Sequence, residues 1–358
     1  MAAAPTLGSI TAVQAMTPAF ERAKQQLFRP FRFSHWWRLA LTALLAGEMS
    51  SGGNWGNSGN WHVPGRAGKG KDLFLLAAPP WMGWHDYLGV IVAAIALGLA
   101  LGVVFIYVSS VFRFILFDSV LTERVRIREG WRRWQDRGGR FFLWQIGFSA
   151  VMLTLLGMVI GLPLLYAWRT GMFKDSGEHW GAFLVGGLLM LFVGGALLIA
   201  AVLVGVFNKD FVVPLMALED LSAMEAWRRL LPMLKSEKGS YAGYIGMKIV
   251  LAIVSGIVFG ILGLFALIFA LIPLAILGIV VAALVVALGL TWNPFTIILA
   301  VLVGATGLFG LFWMMTLVSV PSVVFFQSYT LHFFGSRYAR LGAMLAPPAP
   351  PTAAPVSA

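Results

Sequence analysis

The sequence predicts an all-α polytopic membrane protein, a bundle of six or seven spanning helices. Hydrophobic residues make up 59% of the chain and charged residues only 11%, whereas soluble domains carry about 25% charged residues. The 14 tryptophans and 40 glycines fit this class, because tryptophan collects at membrane interfaces and glycine is frequent in spanning helices. The mean hydropathy of +0.85 excludes an ordinary soluble domain.

Long apolar runs give the individual spans, because a crossing helix needs about 20 apolar residues. The runs are 89–112, 141–168, 182–207, 241–269, 271–290 and 294–320. The shorter stretch 34–49 crosses only if Arg38 extends its side chain to the interface. A full crossing by 271–290 would leave the C-terminus outside the cell, so we favour six crossings with one additional apolar segment.

A basic segment of the chain recurs in degraded form 96 residues later. The matched pairs are Arg113 with Lys209, Glu123 with Glu219, Glu129 with Glu225, Trp131 with Trp227, Arg132 with Arg228 and Arg133 with Arg229. A fainter copy lies at 20–27. The pattern predicts three degenerate repeats, each an interfacial amphipathic helix followed by a membrane hairpin.

These repeats divide the chain into three parts. We expect a disordered tail, a transmembrane domain with one long outer loop, and a cytoplasmic tail rich in proline and alanine. The predicted bounds are 1–17 for the first tail, 18–335 for the membrane domain (repeats about 18–121, 122–221 and 222–335, outer loop 50–85) and 336–358 for the second tail.

The distribution of positive charge predicts the orientation. The chain has 26 lysines and arginines against 15 acidic residues, a net charge of +11. Most of these cations flank apolar runs at the three repeated segments, as the positive-inside rule requires. We therefore predict a multi-pass protein of a bacterial inner membrane with the basic segments and both termini in the cytoplasm. The same distribution disfavours nucleic acid as a partner.

The basic amphipathic segments are the best candidates for a binding site. Tryptophan at headgroup level and arginine near phosphates are what an interfacial helix needs, at about 1 kcal/mol per cation near an anionic surface. Simple anchoring of the bundle is the alternative to specific lipid recognition. The residues assigned to this lipid interface are Arg126, Arg128, Trp131, Arg132, Arg133, Trp134, Trp227, Arg228, Arg229 and Lys235.

Charged residues at the ends of apolar runs form a second set of candidates. Charges at membrane depth are costly and often functional, although side chains near an interface can extend into it. Pairing at the interface and a role in transport or gating therefore both stay open. The residues are Glu48, Arg113, Asp118, Lys209 and Asp210.

Patterns typical of catalysis are missing. The five histidines form no HExxH motif, and the chain has no cysteine to act as nucleophile or metal ligand. We predict no catalytic residue, no metal site and no cofactor.

Three short segments, at 19–27, 127–134 and 223–231, each contain an acidic residue, an aromatic or small residue and basic residues, and each precedes an apolar run. The apolar runs before the second and third segments have similar ends, at 111–121 and 206–218. In these segments the chain resembles the multi-pass bacterial families grouped around the membrane domain of glycerophosphodiester phosphodiesterases. The resemblance implies an integral membrane domain. The catalytic barrel fused to some relatives is absent from this sequence, so no active-site residue carries over.

We therefore predict a non-enzymatic membrane module that contacts anionic lipid or supports a membrane partner. The alternative is a transporter or permease component, since internal repeats are common in such folds. Seven polar residues can distinguish these two hypotheses. Side chains that line one continuous cavity would favour transport, whereas side chains that form scattered hydrogen bonds to backbone carbonyls would favour the lipid module. They are Gln145, Ser149, Thr154, Asn208, Ser255, Thr306 and Gln327.

Overall fold

The computed structural model describes residues 10–29, 31–48, 84–173, 179–287, 289 and 294–345, and these residues form helices and short connections without a strand. The helices are α1 (Met16–Phe28), α2 (Phe33–Leu45), α3 (Trp84–Thr122), α4 (Ile127–Arg169), α5 (Trp180–Phe207), α6 (Val213–Glu219), α7 (Ala223–Ser236), α8 (Lys238–Ala287), α9 (Pro294–Gly335) and α10 (Ala339–Leu345). A π turn, Asn208–Val212, joins α5 to α6.

Five of these helices are long and apolar enough to cross a membrane: α3, α4, the α5–α6 unit, α8 and α9. This number is smaller than the six or seven spans expected from the sequence. Helix α2, which covers most of the apolar stretch 34–49, has 13 residues and is about 20 Å long. The hydrocarbon core of a bilayer is about 30 Å thick, so the described part of α2 is too short to span it.

Helix α8 corrects the prediction of two separate apolar segments at 241–269 and 271–290. It is one helix of 50 residues with Pro273 inside it, about 75 Å long. The part of 271–290 that the structure describes continues the helix that contains 241–269 instead of forming a separate segment.

All of the basic connections meet at one end of the bundle, here called the basic end. Arg22 of α1 lies 3.6 Å from Glu123 after α3, and Arg137 of α4 donates to Asp220 after α6 at 2.8 Å. Arg337 after α9 donates to Glu237 before α8 at 2.8 Å. The connections that follow α3, α6 and α9 are therefore neighbours in space.

The buried core lies in the half of the molecule next to the basic end. It contains residues of α1, α2, the π turn, α6 and α7, and the adjoining parts of the long helices. Away from this end the apolar runs of the long helices are almost fully exposed. Exposed leucine, valine and phenylalanine along helices of this length are typical of a surface covered by lipid.

Helices α3 and α4 approach each other closely at Gly138. A Cβ atom built there would lie 2.6 Å from Val111 Cγ2 and 2.8 Å from Val111 Cα. The absence of a side chain therefore lets the two backbones touch. At Gly130, one turn from the start of α4, a Cβ atom would lie 3.2 Å from Ile115. The two glycines fix how α4 crosses α3.

The N-terminal helices are tied to the bundle by hydrogen bonds to backbone carbonyls. Arg22 donates to the carbonyls of Val120 and Leu121 at 3.3 and 2.8 Å, and Gln26 donates to that of Ser119 at 3.1 Å. Arg22 and Gln26 thus satisfy carbonyls in the last turn of α3, which the helix cannot satisfy by itself.

The ends of the chain are ordered further than the predicted tails allow. Ala15 is buried, and the carbonyl of Ile10 accepts a hydrogen bond from Arg337 at 3.1 Å. Helix α10 likewise buries Leu341. The remaining parts of the two tails, 1–9 and 346–358, and nearly all of the outer loop at 50–85 lie outside the described residues.

The chain breaks between helices at two positions within the basic segments. Breaks occur at 123–126 and at 220–222, and each begins with a non-glycine residue in the left-handed conformation, Glu123 and Asp220, both with φ of 57°. The next helices begin after Arg126 and Ser222. The basic segment is continuous with a spanning helix in α4, whereas α1 and α7 are separate helices.

Candidate functional site

The connection between α3 and α4 forms one side of a polar cleft at the basic end, here called the connector cleft. Its volume is about 260 Å³, and its lining residues are Asp118, Thr122, Arg124, Arg126, Glu129, Gly130 and Arg133. The left-handed backbone at Glu123 turns the chain out of α3 and into α4. Asp118, Arg126 and Arg133, which the sequence placed in two separate candidate sets, therefore line the same cleft.

The connector cleft carries an excess of positive charge. Arg126 donates to Glu129 at 2.9 Å, and Arg133 lies 3.9 Å from Asp118. Arg124 makes no ion pair with a carboxylate of the described residues. Three guanidinium groups thus face two carboxylates, and arginine presents several N–H donors in a planar fork suited to phosphate. Arg128 and Arg132 are exposed nearby.

The tryptophans of this segment pack inside the protein rather than on its surface. Trp134 is 2% exposed and stacks on Phe114 with ring centroids 5.8 Å apart. Trp131 is half-buried against Tyr107 and Phe112. The predicted lipid contact of Trp134 is therefore corrected, because core packing leaves its ring nothing to offer a headgroup.

Helix α7 begins with a capping box. Ser222 Oγ accepts from the backbone N–H of Glu225 at 3.3 Å, and the Glu225 carboxylate accepts from that of Ser222 at 2.8 Å. The hydrogen bond from the Ser222 backbone N–H is the main cause that lowers the pKa of Glu225, and the hydrogen bond from the Ser222 hydroxyl lowers it further. This reciprocal pairing satisfies two N–H groups that the first turn leaves free.

The α7 candidates divide between structural and exposed roles. Trp227 donates from Nε1 to Asn208 in the π turn at 2.8 Å, so it holds α7 against the bundle. Arg229 forms an ion pair with Glu219 at the end of α6. Arg228 and Lys235 are exposed and make no ion pair with a described carboxylate.

Asp220 joins the two basic segments. Arg137 and Arg140 of α4 donate to its carboxylate at 2.8 and 2.5 Å. These two hydrogen bonds lower the pKa of Asp220. The carboxylate is therefore ionised throughout the neutral pH range and links the connection after α6 to α4.

Four of the five membrane-flanking charges meet in one buried charge cluster, and sequence reasoning missed its fifth member, Lys248. The carboxylate of Glu48 lies 2.7 Å from Lys209 Nζ, and that of Asp210 lies 2.5 Å from Lys248 Nζ. Arg113 is close enough to Glu48 to interact electrostatically with it. The buried charge cluster thus contains Glu48, Arg113, Lys209, Asp210 and Lys248.

Hydrogen bonds extend the buried charge cluster into the bundle. Tyr244 donates to Asp210 at 2.9 Å, and its hydroxyl lies 2.8 Å from Thr330 Oγ1. Arg113 donates to the Ala46 carbonyl at 3.3 Å and to Gln145 at 3.4 Å. The end of α2, four long helices and the π turn are therefore connected through one polar region.

Two consecutive charged residues of the π turn serve different partners. Lys209 and Asp210 are consecutive, yet Lys209 pairs with Glu48 after α2 and Asp210 pairs with Lys248 of α8. A π turn widens the helix locally and is frequent at functional sites. No local pattern in the sequence indicates such a turn, and Lys248 appears there only as an isolated cation near the start of the apolar run 241–269.

The seven polar residues proposed to distinguish a transporter do not line one cavity. Thr154 and Thr306 are exposed and donate to carbonyls of their own helices. Ser255 pairs with Ser322 at 2.7 Å. Gln145 accepts a hydrogen bond from Arg113, and Asn208 accepts one from Trp227. Ser149 is exposed and Gln327 is partly buried. Within the described ranges, no group of three or more histidines and acidic residues could hold a metal ion.

Comparison with known proteins places the chain in a family. The chain matches none of the curated proteins and none of the solved structures with which it was compared. No match links it to glycerophosphodiester phosphodiesterases, so that resemblance stays a prediction from the repeated segments. Residues 10–344 match a family of unknown function, DUF7544, and the chain belongs to that family.

Proposed function

We propose that this protein is a non-enzymatic membrane module that binds the headgroups of anionic lipids at its basic end. The connector cleft is the observation that carries this proposal. It combines three arginines with only two carboxylates, and it lies at the end of two helices with long apolar runs. A phosphate group there would have guanidinium donors beside a bilayer surface.

Arginine in the connector cleft should account for the binding of one phosphatidylglycerol at that cleft. We expect the variant Arg124→Gln/Arg133→Gln to bind phosphatidylglycerol there about 30-fold more weakly than the unmodified protein, since each lost guanidinium–phosphate hydrogen bond contributes about 1 kcal/mol net and each 1.4 kcal/mol is tenfold. Native mass spectrometry of the purified protein, titrated with phosphatidylglycerol in detergent, measures this affinity. Phosphatidylcholine, which has no net charge, should bind weakly to both proteins.

The matched control is Lys24→Gln/Arg340→Gln. It removes the same charge from exposed residues that do not line the connector cleft. We expect its affinity for phosphatidylglycerol to change less than threefold. Equal losses in the two variants would mean that net charge alone attracts the lipid, and the proposal of a specific site would be abandoned.

We also propose that the basic end faces the cytoplasm of a bacterial inner membrane. Because the chain has no cysteine, single cysteines can be introduced without a background. In spheroplasts an impermeant maleimide should label Thr170→Cys, at the far end of α4, and should label Asp136→Cys only after permeabilisation. The reverse pattern would invert the orientation.

A transporter or permease component is the second candidate, and the buried charge cluster is what favours it. Ionisable residues within spanning helices often mark ion or substrate pathways, and Asp210 lies in a π turn. The scattered bonding of the seven polar residues weighs against this candidate. Uptake of a labelled solute by proteoliposomes that contain the unmodified protein, and not by liposomes without it, would give the second candidate preference over the first.

A further inference from the structure

A second polar cleft, here called the N-terminal cleft, lies on the other side of the connection between α3 and α4. Its volume is about 230 Å³, and it is lined by Gln25, Gln26, Arg29, Arg32, His35 and Glu123. Arg22 already pairs with Glu123 at 3.6 Å. Arg29 and Arg32 are exposed and make no ion pair with a described carboxylate, so this cleft also carries excess positive charge.

The N-terminal cleft contains polar groups that the described residues do not satisfy. Gln26 is only 8% exposed, and while its amide nitrogen donates to Ser119, its Oε1 has no partner. His35 Nε2 is also buried without a partner. Burial lowers the pKa of His35, and the positive charges of Arg32 and Arg38 lower it further. Unsatisfied polar groups are rare in protein interiors and indicate a ligand or ordered water. Because Gln26 Oε1 can only accept, its partner would be a donor such as a lipid glycerol hydroxyl or a water, and Arg29 and Arg32 would hold the phosphate.

Aromatic residues around this cleft indicate a lipid rather than a free anion. Phe28, Phe31 and Phe33 are 51%, 56% and 63% exposed, and they alternate with Arg29 and Arg32 along the chain. The rings of Phe28 and Phe31 each contact Trp36, with centroids 5.5 and 5.3 Å apart. Exposed phenylalanine interleaved with arginine is typical of a segment that inserts into the headgroup and acyl boundary.

The two clefts are lined by consecutive residues of the chain. Glu123 lines the N-terminal cleft and Arg124 lines the connector cleft, and the Cα atoms of consecutive residues are only about 3.8 Å apart. We infer that the two clefts together bind one anionic lipid that carries two phosphate groups, one phosphate in each cleft. This inference rests on the proposed function, because the connector cleft is the site proposed there.

The test compares cardiolipin, which has two phosphates in one headgroup, with phosphatidylglycerol, which has one. Native mass spectrometry of the full chain in detergent should show one saturable cardiolipin or two saturable phosphatidylglycerols per protein. We expect cardiolipin to bind at least tenfold more tightly, because two linked phosphates give the second contact a high effective concentration. The variant Arg29→Gln/Arg32→Gln should lower cardiolipin affinity at least tenfold and leave one phosphatidylglycerol site.

Control variants and outcomes separate the two proposals. Lys24→Gln/Arg340→Gln should keep the cardiolipin preference, and circular dichroism should show that every variant retains its helix content. Two phosphatidylglycerol sites with no cardiolipin preference would overturn only the inference of one two-phosphate lipid. Loss of the cardiolipin preference in Lys24→Gln/Arg340→Gln would also overturn only the inference of one two-phosphate lipid. No saturable binding of either lipid would overturn the proposed function as well.

Discussion

Replacing Asp210 with asparagine should lower the free energy of unfolding by about 3–5 kcal/mol, the usual cost of leaving a buried charge without its partner. The Asp210 carboxylate lies 2.5 Å from Lys248 and accepts a hydrogen bond from Tyr244 at 2.9 Å. The side chain of Lys248 is mostly buried, so its ammonium group cannot regain full hydration. Equilibrium unfolding in mixed detergent micelles measures the difference.

Two further variants show whether the buried pair causes the loss. Asp136 is exposed, so Asp136→Asn should stay within about 0.5 kcal/mol of the unmodified protein. The double variant Asp210→Asn/Lys248→Met should recover part of the stability, because removing both charges leaves neither one unpaired. If Asp210→Asn were no less stable than Asp136→Asn, the pair would contribute nothing to folding.

Replacing Gly138 with alanine should destabilise the protein by about 1–3 kcal/mol, the usual range for an overpacked core. The new Cβ atom would lie 2.6 Å from Val111 Cγ2 and 2.8 Å from Val111 Cα. A side chain can change rotamer, but the backbone atom yields only if α3 and α4 separate. The same unfolding measurement reports this change.

The neighbouring glycine supplies the control. At Gly139 the nearest atom to a new Cβ is Tyr107 Cε2 at 4.0 Å, so alanine fits without a clash. Alanine is a better helix former than glycine by about 1 kcal/mol, and Gly139→Ala should therefore be neutral or stabilising. A stabilising effect at both positions would contradict the close backbone contact between α3 and α4.

Much of the helical architecture could be predicted from the sequence, for a physical reason. In a lipid environment a backbone must satisfy its own hydrogen bonds, so a long apolar run has to form a helix. The apolar runs at 89–112, 141–168, 182–207 and 294–320 accordingly fall within α3, α4, α5 and α9. The amphipathic pattern around Trp227 likewise lies on the separate helix α7.

The number of spans was less predictable. After Lys248 the sequence up to 290 has no charged residue, and Pro273 is compatible with either a break or a continuous helix. In the structure α8 is one unbroken helix that packs against α9. A local pattern carries no information about that packing.

The candidate site was predicted in part. The sequence identified Arg126, Arg133 and Asp118, but it assigned them to separate sets, because their common cleft depends on how α4 turns back on α3. The sequence predicts a lipid contact for Trp134, because the sequence pattern of an apolar helix face is the same whether that face contacts lipid or protein. Its position against Phe114 follows from helix crossing.

By itself, the sequence determined which segments are helical and apolar and where positive charge is concentrated, because both depend on residues close together in the chain. Only the tertiary structure decided which charges meet. Glu48 and Lys209 are 161 positions apart, and Lys248 is an isolated cation in the sequence, yet all three are close together in the buried charge cluster. Coulomb interactions depend on distance in space, and that distance is set by helix packing and by the π turn at Asn208–Val212.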